Sequence, residues 1–260
     1  MNGNETRFRG TLLDRVKPAL RPLGFNVVGT ATPEGYNALV PAEHRIERFF
    51  PEGKTLIVIG SGGTLLWEAF RAHRPVRASA PELAGHPLDA YTVEAVEGAL
   101  TPLLRDARAA FRYLYPFRFR TEPVSFRHLA VAAGLGAGSL LGVLIHPVFG
   151  PWLALRAAAF VDAELFEPPA AQGFDPCASC GDKPCVVTCP GGAVHSPGGW
   201  DARSCAGHRT RFEQDCLESC HARWACPYGT EHRYGADQAR YHQSRSLASL
   251  KAYAAAAANG

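Results

Sequence analysis

Cysteine is missing from the first 176 residues and from the last 34. That absence argues against a secreted scaffold stapled by disulfides, whose bridges spread along the chain. An excess of either charge is missing too. The 27 Lys and Arg against 24 Asp and Glu leave +3 at pH 7, too little to argue for a nucleic-acid or membrane-surface partner. The opening MNGNETRFRGTLLDRVKP has no apolar run of the signal-peptide kind, and Arg7 and Arg9 do not form a twin-arginine signal. The uncharged segment LAVAAGLGAGSLLGVLI, Leu129 to Ile145, falls short of the ~20 residues a spanning helix needs. It is broken by Gly134, Gly136, Gly138 and Gly142 and closely followed by Pro147. It reads as a buried helix end, a glycine loop and a buried strand. The expectation is a soluble, cytoplasmic protein with no membrane partner. A hydrophobic share of 47% over 260 residues is enough for a sizeable core, in one large domain or two smaller ones.

Along the chain, residues 11–24 carry Leu12, Leu13, Val16 and Leu20 at helical spacing, with Gly24 as a stop. Phe25 to Gly29 reads as a strand, and 42–50 as a short helix closed by Pro51. Thr55 to Ile59 (TLIVI) reads as a strand buried on both faces. The GSGG that follows it lacks the G-x-G-x-x-G spacing and the P-loop lysine, so it reads as a tight strand-to-helix turn. Leu65 to His73 is expected to be helical, and 75–87 a loop. Leu88 to Ala110 is expected to be a helix bent or divided at Gly98 and Pro102. In Phe111 to Arg120, five aromatics alternate with Arg112, Leu114, Pro116, Arg118 and Arg120, as in a half-buried strand with a basic, solvated face. Val124 to Ala133 should be a helix, and Gly142–His146 and Leu153–Val161 strands. The mixture predicts an α+β fold, a layered N-terminal domain over 1–165. Phe166 to Pro176, rich in proline, has the character of a linker. A cysteine module over 166–234 and a helical tail over 235–260 complete the chain.

All 8 cysteines lie between Cys177 and Cys226, in CASCGDKPCVVTCP and, further on, a lone cysteine and CLESCHARWACP. Disulfides, zinc and iron–sulfur clusters compete for them. Zinc sites are built from paired C-x2-C units. Only Cys177 and Cys180 have that spacing, whereas Cys185–Cys189 and Cys216–Cys220 enclose three residues. Cubane clusters take four thiolates, and in two-cluster ferredoxins the cysteine before proline, fourth in its run, serves the other cluster. Cys189-Pro190 and Cys226-Pro227 close the two runs. By that logic Cys177, Cys180, Cys185 and Cys226 hold one 4Fe-4S cluster, and Cys189, Cys205, Cys216 and Cys220 hold the other. The four-residue gap from Cys180 to Cys185 is wider than in the bacterial run. Gly181, Gly191 and Gly192 are candidates to donate amides to cluster sulfurs.

LGFNVVGTA, PEGKTLIVIG, HLAVAAGLGAGSLLGVLIHPVFGPW and the cysteine block together resemble the epoxyqueuosine reductase group over roughly residues 20–230. The resemblance implies a corrinoid-type N-terminal domain, of the B12-processing and nitroreductase-like kind, followed by a ferredoxin-like double-cluster module. It also implies a corrinoid (cobalamin) or flavin, for which Gly134, Gly136, Gly138 and Gly142 are the candidate binding residues. Two departures stand out, an altered loop that speaks against corrinoid binding and a missing acidic donor that speaks against epoxide reduction. Ser139-Leu140-Leu141-Gly142 replaces the group's Gly-Lys-Asn step, and the acidic proton donor before the helix has no counterpart, Glu122 being out of place. No helical-repeat tail for tRNA follows.

The expected function is therefore redox. Electrons enter two 4Fe-4S clusters from a cytoplasmic electron donor and pass to a cofactor or substrate at the N-terminal domain. A ferredoxin-type carrier or partner protein without a substrate of its own is the alternative, and a zinc-structured binding module the third reading. With eight thiols present, His195, His208, His221 and His232 are not needed as ligands; His128 and His146, near the glycine loop, are the better candidates for a pocket. No catalytic triad or paired carboxylates can be assigned.

Overall fold

In the computed structural model, which describes residues 5–73, 83–165, 167 and 173–258, the chain divides into two packed units. The first comprises Met1–Leu135 and Ala154–Gln172, the second Gly136–Leu153 and Gly173–Gly260. The loop expected at 75–87 and the linker at 166–176 lie largely outside the described residues.

In the first unit, the apolar spacing noted above forms α1 (Glu5–Leu20), which packs against α4 (Pro87–Asp106). Val16 and Leu20 of one helix and Val96, Leu100 and Leu104 of the other are fully buried. α4 is a single helix rather than a divided one. Pro102 costs it one amide hydrogen bond, and the apolar face buried on both sides of that position outweighs the loss.

A four-stranded sheet runs in the order β1 (Val27–Ala31), β2 (Thr55–Gly62), β6 (Leu153–Val161), β3 (Phe111–Leu114). β1 pairs antiparallel with β2, Gly29 opposite Val58, and β3 with β6, Tyr113 opposite Ala159. Every residue of β2 is buried, as its β-branched run predicts. This strand continues three residues further than expected. Asn26 holds its end, accepting from the Gly62 N–H (2.8 Å) and donating to the Gly62 carbonyl (3.1 Å). The turn into α3 (Leu65–Ala72) follows.

β3 is shorter than the alternation suggested, because Pro116 opens a 3-10 turn at Pro116–Arg118. The aromatic row survives the change of backbone: Phe111, Tyr113, Tyr115 and Phe117 follow one another with ring centroids 5.1–6.5 Å apart, the last pair stacked and the others tilted. The basic face serves the fold. Arg112 donates to Glu122 (2.6 Å) and to the Phe49 carbonyl, and Arg118 lies over Tyr115. Residues 42–50 form two short 3-10 turns, Ala42–His44 and Ile46–Arg48. Between β1 and these turns, α2 (Pro33–Asn37) carries Tyr36, whose buried hydroxyl accepts from the Ser125 N–H beside α5 (Phe126–Ala132). On β6, the Arg156 side chain is 11% exposed and pairs with Asp89 (2.7 Å), Thr92 and the Leu88 carbonyl of α4.

The second unit contains two hairpins, β4 (Ala137–Gly138) with β5 (Leu144–Ile145) and β7 (Val194–His195) with β8 (Gly199–Trp200). Its helices are α6 (Pro176–Ser179), α7 (Pro184–Val187), α8 (Ala202–Arg211), α9 (His221–Trp224) and α10 (Ala236–Ala258). Two segments fall differently from the sequence division. Residues 136–153 pack with the cysteine segment rather than with the N-terminal layers. The C-terminal helix belongs to the same unit: α10 packs on α8, and Arg240–Glu218 and Lys251–Glu213 pairs tie it down.

The Arg223 guanidinium sits 4.8 Å from the ring centroids of both Trp152 and Tyr234 and donates to the Pro151 carbonyl. Among the described residues, no helix is long and apolar enough to cross a membrane. The architecture is mixed helix and sheet.

Candidate metal centre

Short helices set out the cysteines. Asp175 accepts from the Ala178 N–H (3.0 Å) and caps α6, whose Pro176 precedes Cys177. Lys183, at φ +41°, turns the chain into α7, where Pro184 precedes Cys185. Asp201 caps α8, accepting from the Arg203 N–H and the Ser204 hydroxyl, and this helix carries Cys205. Cys220 stands at the start of α9 and Cys226 just beyond its end. Proline at the first helical position and Asp at the cap are the residues such starts favour.

The thiols gather in two groups of four. Cys177, Cys180, Cys185 and Cys226 line one cavity of about 20 Å3. Cys189, Cys205, Cys216 and Cys220 line another of about 280 Å3. Each group takes one cysteine from the other's run, Cys226 joining the first three and Cys189 the last three. All eight are free thiols. Among the described residues, no three His, Cys, Asp or Glu side chains converge on a single-ion site.

Leu141 borders both cavities. Leu140 and Leu141 pack on a small apolar cluster of Cys185, Val194 and Ala222. Ser139 shapes their turn, donating to the Val143 carbonyl (2.6 Å) and accepting from the Leu141 N–H (3.2 Å).

Burial pushes the Cys185 and Cys226 thiols up, and neighbouring thiols of the same group push them further. Cys205 is raised for the same reasons, and burial carries Cys216 to about 11, with Cys220 next in effect. Crowded, desolvated thiols ionise together only around a cationic centre. Among the described residues no carboxylate lines either cavity, whereas Lys183 lines the first and Arg209 and Arg223 the second. The Ala193 N–H donates to Cys189 (3.3 Å), and the Trp200 indole and the Tyr228 amide act to lower the Cys205 and Cys226 thiols against their burial. The donor set, four thiols ringed by N–H groups and cations, suits an anionic thiolate cluster in each group.

The other candidate residues fall differently. Gly192 gives its N–H to the Cys189 carbonyl, and Gly191 lies against His208, so Ala193 supplies the amide to sulfur that the glycines were expected to give. Of the candidate cofactor glycines, Gly136 faces the Ile145 backbone and Gly142 the Trp200 ring; Gly138 alone of these three has open space beside it. Gly134 has a positive φ (64°) and its N–H bonds the Val131 carbonyl in the turn after α5. Protein therefore packs against Gly136 and Gly142, while the space beside Gly138 stays open.

The histidines are largely engaged. His146 accepts at Nδ1 from the Val148 and Phe149 N–H groups, and burial lowers its pKa to about 4, helped by His232. His128 pairs with the Ser125 hydroxyl (2.8 Å). His221 Nε2 lies 2.7 Å from the Asp215 carbonyl, His208 faces the Asp215 carboxylate (3.2 Å) and His232 packs on Phe149. Sequence reasoning missed Arg209, Trp200 and Ala193. The spacing of Arg209, one helical turn after Cys205 on α8, was the one available signal.

No protein-family model matches the chain, and no curated protein does. Solved structures do match. An epoxyqueuosine reductase in complex with an epoxyqueuosine-modified tRNA stem loop superposes with a TM-score of 0.60 at 18% identity, over 90% of this chain and 68% of that one. Epoxyqueuosine reductase from Bacillus subtilis gives 0.57 at 17%, over 90% and 68%. CblC, a B12-trafficking protein from C. elegans and homologue of human MMACHC, gives 0.57 at 14%, over 92% of each chain. At these identities the likeness is one of fold, and the chain has an epoxyqueuosine reductase-like fold in a divergent sequence.

Proposed function

We propose that this chain is an iron–sulfur oxidoreductase component whose second unit is a ferredoxin-like module carrying two 4Fe-4S clusters. Cys177, Cys180, Cys185 and Cys226 hold one, and Cys189, Cys205, Cys216 and Cys220 the other. The observation that carries this reading is the crosswise sorting of eight thiols into two groups of four around separate cavities.

When bound, each cluster supplies a one-electron couple. The chain's own part is to hold and tune. The thiols fix the iron, the N–H groups of Ala193, Trp200 and Tyr228 stabilise sulfur charge, and Leu140 and Leu141 keep water from the inner walls. Electrons come from a cytoplasmic donor and go to a substrate or cofactor held by the first unit. The fold shared with an epoxyqueuosine reductase and a B12-trafficking protein supports a reductive role.

The ferredoxin-type carrier is the second reading, favoured by the protein contacts at Gly136 and Gly142. The two readings part on small-molecule binding. A carrier leaves cobalamin and flavin spectra unchanged on mixing, whereas a cofactor-using reductase shifts one of them.

The deciding experiment is anaerobic purification with iron, acid-labile sulfide and zinc determined per chain. About eight iron and eight sulfide are expected for two cubane clusters. About four would confine the chemistry to one site, and zinc without sulfide would leave a structural module.

A further inference from the structure

Arg209 is only 7% exposed and lines the cavity of Cys189, Cys205, Cys216 and Cys220. Its Nη1 donates to the Ser246 hydroxyl (2.6 Å) and its Nη2 to the Gln243 carbonyl (2.8 Å), both on α10. Both partners are neutral oxygens, so these bonds fix the guanidinium without cancelling its charge. A guanidinium cannot shed that charge by losing a proton, and in a buried site the charge is weakly screened. The same cation acts on the thiols, working against the burial that raises Cys205 and Cys216. The first cavity has a different arrangement. Its lining cation, Lys183, is half-buried on a flexible stem and bonded to the Cys180 carbonyl, and Arg233, bonded to the Trp224 carbonyl, acts on Cys226 from outside the lining.

We infer that Arg209 is a positioning residue for electron flow: tied to α10, its fixed positive charge raises the reduction potential of the Cys189/Cys205/Cys216/Cys220 cluster and makes that cluster the favoured resting place of the electron within the pair. This rests on the two-cluster reading above. Reduction adds one electron and one negative charge at the cluster, with no bond made or broken, so a fixed cation nearby favours the reduced form. It also gives α10 a purpose beyond packing: the helix presents the two oxygens that hold the charge in place.

The test is an EPR-monitored redox titration of the anaerobic full-length chain, with dithionite as electron source, on wild type, Arg209→Gln, Arg209→Lys and Ser246→Ala. Cys226→Ser assigns the signal that remains to the second cluster. With full iron retained, Arg209→Gln should lower the second midpoint so that its reduced-to-oxidised ratio at fixed poise falls about tenfold, or about 59 mV for one electron. The first midpoint should stay in place, and Arg209→Lys should recover most of the shift. Ser246→Ala keeps the charge but frees one nitrogen, and should move the same midpoint by less. An Arg209→Gln chain with full iron and an unmoved second midpoint, or equal movement of both, overturns the inference. Should Arg209→Gln fail to hold iron, an unmoved midpoint in Ser246→Ala does so. A wild-type chain without sulfide defeats the cluster reading itself, a separate outcome.

Discussion

Gly142 lies against the face of Trp200: a methyl group at Gly142 would sit 2.8 Å from the indole ring, and the residue's φ is +74°. Trp200 in turn acts to lower the Cys205 thiol against the burial that raises it. A glycine read from sequence as room for a cofactor thus seats an indole that serves a thiol.

Gly142→Ala should therefore disturb the second group of cysteines before the first. Strain at a left-handed position combined with overpacking predicts a loss of roughly 1–3 kcal/mol. The measurement is thermal unfolding together with iron content. Iron should fall toward half, and retention of all of it with an unchanged melting temperature would contradict the assigned contact.

The crosswise sorting predicts a pattern of non-additivity. Cys226→Ser and Cys177→Ser should each remove one cluster, and together remove no more. Cys226→Ser combined with Cys205→Ser should remove both. Iron and sulfide per chain decide it, because substitutions within one site couple while those in separate sites add. Additive loss for Cys226 with Cys177 would place them in different sites.

His146 predicts an acid limit. Its pKa is depressed to about 4 in the folded protein by burial, with His232 adding to the effect. The unfolded chain binds the proton near pH 6.5. The contribution of a depressed histidine is complete above pH 6.5 and is lost as pH falls toward 4. Protonation would also cost Nδ1 its role as acceptor for Val148 and Phe149. Denaturant unfolding should show stability declining from pH 6.5 to 4, and His146→Asn should flatten that decline.

Tyr113 predicts the alkaline counterpart. Burial raises its pKa to about 12, despite the Thr101 hydrogen bond, and burial raises Tyr115 too, with Glu97 adding to it. A raised phenol contributes fully below pH 10, where the unfolded chain begins to ionise, and the contribution is lost as pH rises through 12. The loss for Tyr113 amounts to about 1.4 kcal/mol per pH unit. Phenolate absorbance should lag behind that of the free side chain in this range, and Tyr113→Phe should lessen the alkaline loss of stability. Titration of all tyrosines near pH 10 in the folded protein would contradict the burial.

What was legible in the sequence was local. The TLIVI run became a wholly buried strand because β-branched side chains suit a pleated interior, and the two Cys-Pro ends carry the expectation of two groups of four. What stayed hidden depended on partners distant in the chain. Asn26 holding the end of β2 could not be read from GSGG. Pro102 looked like a break because the burial around it was invisible. Nothing in the stretch around Gly142 announces Trp200, which lies against it. The role of Arg209 depends on two oxygens of α10, more than thirty residues further along the chain.

Leu141 forms part of the wall of each cysteine cavity. The two sites are thus not independent under substitution. Trimming that side chain to enlarge one would thin the insulation of the other, so any drift in sequence at this position is constrained twice, and a change tolerated by one centre must also be tolerated by its neighbour.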